Sequence, residues 1–316
     1  MNDLIPVRDT AISRRLADHA RHAKGAYSRN TERAVRADTA LFSHWCTDHG
    51  LEALPATPET LALFIDDKAG KRAPATVRRY LSSIAHLHRA AGVETPTKAE
   101  IVKLALKRMA NGNGTRQNQA APLNRPLVDR LLATCSDRLI NRRDAALISL
   151  GYDTLCRRSE LVALDVADLS FTDDGTGTVL IRRSKTDQAG EGAVRFVAFD
   201  TCEILKAWLA EIDDGALFRS VGKGGAVGER LDAGDVARIV KRRAKAAGVD
   251  PEIVDQLSGH SSRVGAAQDM VAADLGVAEV MQAGGRKSPA MVARYTEHLQ
   301  ARRGAMAKLA ALQDRL

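Results

Sequence analysis

Four short segments gather arginine, lysine, histidine and tyrosine at spacings that put them side by side, and such side chains hold an anion and exchange protons next to it. Arg157 and Glu160 stand three residues apart in LCRRSEL, where one helix ends and the next begins. Alone, they read as one of many i, i+3 ion pairs. Arg183-Ser184-Lys185-Thr186 falls at a hairpin tip, where a lysine is ordinarily a solvated turn residue. Gly259-His260-Ser261-Ser262-Arg263 precedes a helical run, so imidazole and guanidinium share one side of a first turn whose backbone N–H groups favour an anion. A structural His–Arg pair is the commoner occupant of such a place. Ser288-Pro289 starts a helix that carries Tyr295 one turn past Met291 and Val292, a position normally filled by a core tyrosine.

The elements that must position these groups fall into two domains, as a chain of 316 residues suggests, because single cores stop growing at roughly 250–300 residues. Ala34, Leu41, Phe42 and Trp45 recur at helical spacing, as do Val77, Tyr80, Leu81, Ile84, Leu87 and Ala91. Gly50 and Gly92 sit where a helix C-terminus takes a left-handed residue. A small all-helical domain over residues 1–110 is predicted. The polar, Gly/Asn-rich stretch NGNGTRQNQAAP reads as a linker over 111–122. The second domain, 123–316, begins with an amphipathic helix (Val128, Leu131, Leu132, Cys135) capped by Asn124, and another runs through Leu147, Ile148 and Leu150. The period then changes to two, and TVLIRRSKT and AVRFVAF flank the turn-like DQAGEG as a β-hairpin. Helices resume afterwards. The expected fold class is mainly α: a helical N-terminal domain, then a mostly α domain with a small antiparallel sheet. In the last stretch Ala305, Leu309, Leu312 and Leu316 share one face, which most simply packs on its own domain.

Composition narrows the partners. An apolar fraction of 45% is ordinary for a globular protein, no apolar run approaches the roughly 18 residues of a membrane span, and MNDLIPVRDT lacks a signal-peptide stretch. Cys46, Cys135, Cys156 and Cys202 are scattered, without a zinc or disulfide pattern, and read as small buried apolar residues in a reducing cytoplasm. The net charge of +8 favours a polyanion. Residues 1–121 carry 19 basic and 12 acidic side chains, a net +7, and the remainder 28 and 27, a net +1. The first domain is therefore expected to grip phosphates broadly, and the second to hold its basic residues in particular places. Three helical stripes suit a DNA groove: Arg33 and Arg36; Arg79, Ser82, Ser83 and His86; and Arg238, Lys241, Arg242 and Lys245, a cationic row that repels itself unless something negative lies against it. Each has a solvated face as its alternative reading.

In their order and spacing the four segments resemble the tyrosine recombinase (phage integrase) family, whose pattern is Arg, Lys, His-x-x-Arg, His or Trp, then Tyr. The likeness runs from about Ser28 to the C-terminus and is strongest beyond Asp144, above all in SGHSSRVGAA and in MQAGG ahead of Tyr295. The resemblance implies a core-binding domain and a catalytic domain clamping the duplex in a C shape. It makes Tyr295 the nucleophile, Arg157 and Arg263 the phosphate-clamping arginines, His260 the imidazole between them, Glu160 an acidic buttress and Lys185 the hairpin-tip lysine. It further implies double-stranded DNA with an inverted-repeat site as partner. The chain is then expected to be a monomer when free and a homotetramer on two duplexes, its terminal helix docked into a neighbouring protomer, in the cytoplasm of a bacterium or of a phage or plasmid host.

The chemistry suits these residue types. Attack on a phosphodiester builds negative charge on the non-bridging oxygens, and two guanidiniums spread bidentate donors across them, so neither metal nor other cofactor is expected. Tyrosine, with an ordinary pKa of about 10, must lose its proton on attack, for which neutral His260 is the acceptor, and Lys185 supplies a proton to the leaving 5′-hydroxyl. A covalent 3′-phosphotyrosine conserves the bond energy, so rejoining needs no ATP. Arg286 departs from the pattern, standing where Trp or His is expected: it keeps hydrogen-bond donors but lacks an aromatic packing surface. The readings beside site-specific recombination are type IB topoisomerase-like relaxation, which needs the same site, and a catalytically impaired DNA-binding member, for which Arg286 is the support.

Overall fold

The computed structural model describes residues 10–315 except 117, 185, 186, 188, 286 and 287. The chain divides into two compact units, 1–118 and 119–316.

Among the described residues the first unit has five α-helices, α1 (Thr10–His22), α2 (Arg29–Asp48), α3 (Pro58–Lys68), α4 (Pro74–Ala90) and α5 (Glu100–Asn113), with a short 3-10 turn at Pro96–Lys98. Ser28 and Thr57 cap α2 and α3 by accepting from Thr31 N and Thr60 N, and prolines open α3 and α4. Gly50 and Gly92 take the left-handed conformation expected of them. Phe42, Trp45, Phe64, Val77, Tyr80 and Ile84 meet in one core, with Val102 and Met109 closing it from α5. The stretch expected as a linker is helical at its start: Asn111 to Asn113 prolong α5 up to Gly114. At its far end, Ala121 N and Leu123 N donate to the carbonyls of Gln256 and Ser261 at 3.1 and 3.0 Å.

The second unit opens with α6 (Arg125–Leu132), capped by Asn124, and α7 (Leu139–Asp153), whose residues are buried almost throughout its second half. α8 (Arg158–Leu161) is a single turn. β1 (Leu169–Phe171), β2 (Gly177–Ile181) and β3 (Ala193–Val197) form an antiparallel sheet in sequence order, with Leu180 opposite Val194 and Ile181 opposite Ala193. The expected hairpin is therefore β2 and β3. After α9 (Phe199–Leu209) a second small sheet, β4 (Arg219–Val221) with β5 (Val227–Arg230), had no counterpart in the sequence reading, its strands being three and four residues long. Then follow α10 (Ala233–Ala246), α11 (Pro251–Gln256), α12 (Ser261–Ala272), α13 (Val277–Gly284), α14 (Pro289–Arg303) and α15 (Ala305–Leu312). Gly304 separates the last two, and no residue of α15 is buried, so the C-terminal stretch does not seat its apolar face on its own domain. Leu316 lies outside the described residues. The main core joins Leu123, Leu131, Leu147 and Ile148 to Val179, Val197, Trp208, Phe218 and Ile239.

One glycine sets the position of α12. A Cβ on Gly265 would stand 2.0 Å from the carbonyl oxygen of Leu123, so only glycine lets the entering chain cross the helix at this distance. Gly265→Ala must displace backbone rather than a flexible side chain. It is expected to cost about 2–3 kcal/mol and to lower the melting temperature by roughly 4–10 °C; calorimetry checks this, and an unchanged melting temperature would show that the crossing is not tight.

Candidate active site

Arg157 stands immediately before α8, and Glu160 lies within it. The Glu160 carboxylate accepts from the Arg157 backbone N–H at 2.8 Å and from its guanidinium at 2.5 Å, so the acid both caps the helix and aims the arginine. Glu160 is buried and Arg157 partly so. Just upstream, Leu155 adopts φ 50° with its side chain fully buried, a conformation that costs a non-glycine residue about 1–2 kcal/mol. Its carbonyl accepts from the Arg263 guanidinium.

Arg263 comes from the first turn of α12 and is itself buried; its second terminal nitrogen donates to Gly284 O at 3.3 Å. His260 is the N-cap of the same helix, one turn before Arg263. His260 Nε2 lies 2.5 Å from the Tyr295 hydroxyl, with the two rings edge to face. Tyr295, on α14, is 5% exposed and packs with Val264, Ala267, Val280 and Val292. Its backbone carbonyl accepts from Gln268 Nε2 at 2.9 Å and Gln119 Nε2 at 3.5 Å. The tyrosine therefore sits on a core face, as its spacing suggests, with its hydroxyl on the imidazole.

Arg157, Glu160 and Arg263 line one cavity of about 210 Å³, together with Leu155, Cys156, Ser184, Asp187, Gly284 and Gly285. Arg195, from β3, lines it too; the sequence reading missed it, having no motif to mark it. Lys185 and Arg286 lie outside the described residues, but their neighbours Ser184 and Gly285 border this cavity.

The stripes assigned to DNA fare differently. Arg33 and Arg36 are exposed on α2, with Arg33 donating to Asn30. Ser83 does not lie on an outward face: it is buried and donates to Asp38 Oδ2 at 2.8 Å, because Asp38, at 2% exposure, needs donors in the interior. Arg79 serves the same carboxylate at 2.7 and 2.8 Å while remaining half exposed. Ser82 is exposed and donates to Arg78 O, and half-buried His86 stacks edge-on with His19 and Tyr27. On α10, Arg238 pairs with Asp235, Lys241 donates to Asp255 O, and Lys245 is exposed. Arg242 reaches the fully buried Asp144 at 2.7 Å, where Arg143 and Arg243 also converge. Arg243 was not anticipated, since it stands off the i, i+3, i+4, i+7 stripe and no motif marks it.

The chain belongs to the phage integrase family, whose model matches residues 123–302. It is 35% identical over 282 residues to an integrase/recombinase XerD homolog of Selenomonas ruminantium, covering 85% of this chain and 81% of that protein. It is 28% identical over 328 residues to the recombinase Cre of Escherichia phage P1, covering 96% and 95%. Among solved structures, the Tn1549 transposon integrase in complex with transposon right end DNA shares the fold with a TM-score of 0.63 at 14% identity, covering 98% of this chain and 99% of that one. A lambda integrase dimer bound to a core site gives 0.59 at 15% identity, covering 90% and 76%.

Cys156 borders the cavity but is no rival nucleophile, because burial pushes its thiol up to about 11. Burial likewise pushes Cys46 up to about 12. A raised folded-state value keeps both thiols protonated at pH 8; the stability this contributes is full below the ordinary thiol value of about 8.5 and is lost as pH climbs from there through the folded values. Iodoacetamide at pH 8 is therefore expected to leave Cys46 and Cys156 unmodified in native protein and to alkylate both in urea. Mass spectrometry reads the sites, and rapid native labelling of Cys156 would contradict this environment.

Proposed function

We propose that the chain recombines DNA site-specifically by transesterification through Tyr295, and the observation that carries this is the 2.5 Å contact between His260 Nε2 and the Tyr295 hydroxyl, one helical turn from Arg263. The Tyr295 oxygen attacks the scissile phosphorus and its proton passes to His260. The bond from phosphorus to the 5′-oxygen breaks, and Lys185 protonates that oxygen. Arg157 and Arg263 take up the charge on the non-bridging oxygens, Glu160 holds Arg157 in place, and Arg286 offers a further donor. A 5′-hydroxyl from a second strand reverses the step, with no net loss of bonds.

In this reading residues 1–110 are the core-binding domain and 123–316 the catalytic one. Arg33, Arg36, Arg79, Ser82 and His86 face the duplex from the first, and Arg238, Lys241, Arg242 and Lys245 from the second. The target is an inverted repeat in double-stranded DNA within the cytoplasm. The exposed α15, with Met306 at 67% and Leu312 at 83% exposure, is the segment that a neighbouring protomer covers in a homotetramer. Among the described residues no helix is long and apolar enough to cross a membrane.

Selection from a random duplex pool would return the half-site and its symmetry. On a nicked suicide duplex built from it, wild-type protein should form an adduct stable to denaturant and Tyr295→Phe none, with duplex affinity little changed. An adduct from the Phe variant would overturn the assignment. Lys185→Ala should slow cleavage of ordinary DNA by about 10²-fold or more and spare a 5′-phosphorothiolate, whose leaving group needs little protonation; equal losses on both would remove Lys185 from the acid role.

A further inference from the structure

Arg195 has no part in the chemistry assigned above, yet its strand is built around it. Along β3, Val194 and Phe196 point outward at 59% and 61% exposure, while Arg195 lies on the face shared with Ala193 and the buried Val197. A guanidinium therefore stands between two apolar residues on the inner face while apolar Val194 and Phe196 face out, a departure from ordinary alternation. Its partner is the last turn of α13. Arg195 Nη1 donates to Gln282 O at 2.9 Å, a carbonyl that also accepts from Gly285 N at 3.2 Å. The guanidinium lies directly over Gly285, where a Cβ would stand 2.0 Å from Nη2, and Gly285 holds φ 55°. Arg263 grips the same turn through Gly284 O. Two arginines, one from β3 and one from α12, thus hold the end of α13 against the cavity they share with Arg157. The chain leaves this turn for α14 and Tyr295.

We propose that Arg195 is a positioning residue: it locks the end of α13, at Gln282 and Gly285, onto the arginine cavity and so sets the approach of Tyr295 to the phosphate. The proposal rests on the reading of Tyr295 as nucleophile. Displacement of a reacting group by about 1 Å costs on the order of 10²-fold in rate, so loss of the lock should appear in the chemical step and not in binding.

The test is single-turnover cleavage of a suicide duplex at saturating protein, with duplex affinity and melting temperature measured on the same variants. Arg195→Ala is expected to cleave about 10- to 100-fold more slowly with affinity and melting temperature near wild type, and Arg195→Lys to recover part of the rate, since its amine can still reach Gln282 O. Gly285→Ala, whose Cβ would evict the guanidinium, should slow cleavage comparably, and the double variant should be no slower than the slower single. Wild-type cleavage by Arg195→Ala would overturn the proposal. So would losses that multiply in the double variant, or a loss confined to affinity or melting temperature. Tyr295→Phe in the same assay separates the two ideas: an adduct there overturns the nucleophile reading and the proposal with it, whereas its absence beside an unimpaired Arg195→Ala overturns the proposal alone.

Discussion

The buried guanidinium of Arg263 is the constraint on which the site depends. At 3% exposure it has left water, and a group so polar must then find acceptors inside the protein. It finds the carbonyls of Leu155 and Gly284, so that one side chain from α12 joins the chain just before Arg157 to the end of α13. Backbone carbonyls cannot swing away as side-chain acceptors can. The left-handed backbone at Leu155 lies where its carbonyl is delivered to Arg263, and full burial of the leucine side chain offsets the strain.

The remaining faces of α12 complete the assembly. His260 at its start meets the Tyr295 hydroxyl, and Gln268 two turns on holds the same tyrosine by its carbonyl. Gly265 admits the entering chain at Leu123, while Asp269 takes Arg125 N at 2.7 Å and the Tyr152 hydroxyl at 2.6 Å. Burial and this carboxylate together push the Tyr152 phenol well above its ordinary range, which keeps it a protonated donor and no competitor of Tyr295. A single helix therefore carries the imidazole, one arginine of the cavity, the support of the tyrosine and the anchors that fix its own place.

Much of this was legible in the sequence because it is local. Arg157 with Glu160, and His260 with Arg263, meet through i, i+3 spacing, and the caps at Asn124 and the turns at Gly50 and Gly92 follow from residue type. The meeting of His260 with Tyr295, thirty-five residues apart, is not local, and only the resemblance of the whole pattern pointed to it. Where long-range pairing overrides periodicity, the sequence misled or was silent. Ser83 belongs by spacing to an outward stripe, but the buried Asp38 on α2 claims it. Arg195 belongs by polarity to the outer face of β3, but Gln282 claims it. Arg242 belongs by spacing to a cationic row and Arg243 to none, but the buried Asp144 claims both.

The most direct test of the central claim is to identify the amino acid joined to DNA. Wild-type protein trapped on a suicide duplex, digested with protease and nuclease and sequenced by tandem mass spectrometry, should carry a nucleotide on Tyr295 and on no other residue. A nucleotide on Tyr27, Tyr80 or Tyr152, or on a serine, would contradict the assembly of the site around Arg263, His260 and Tyr295.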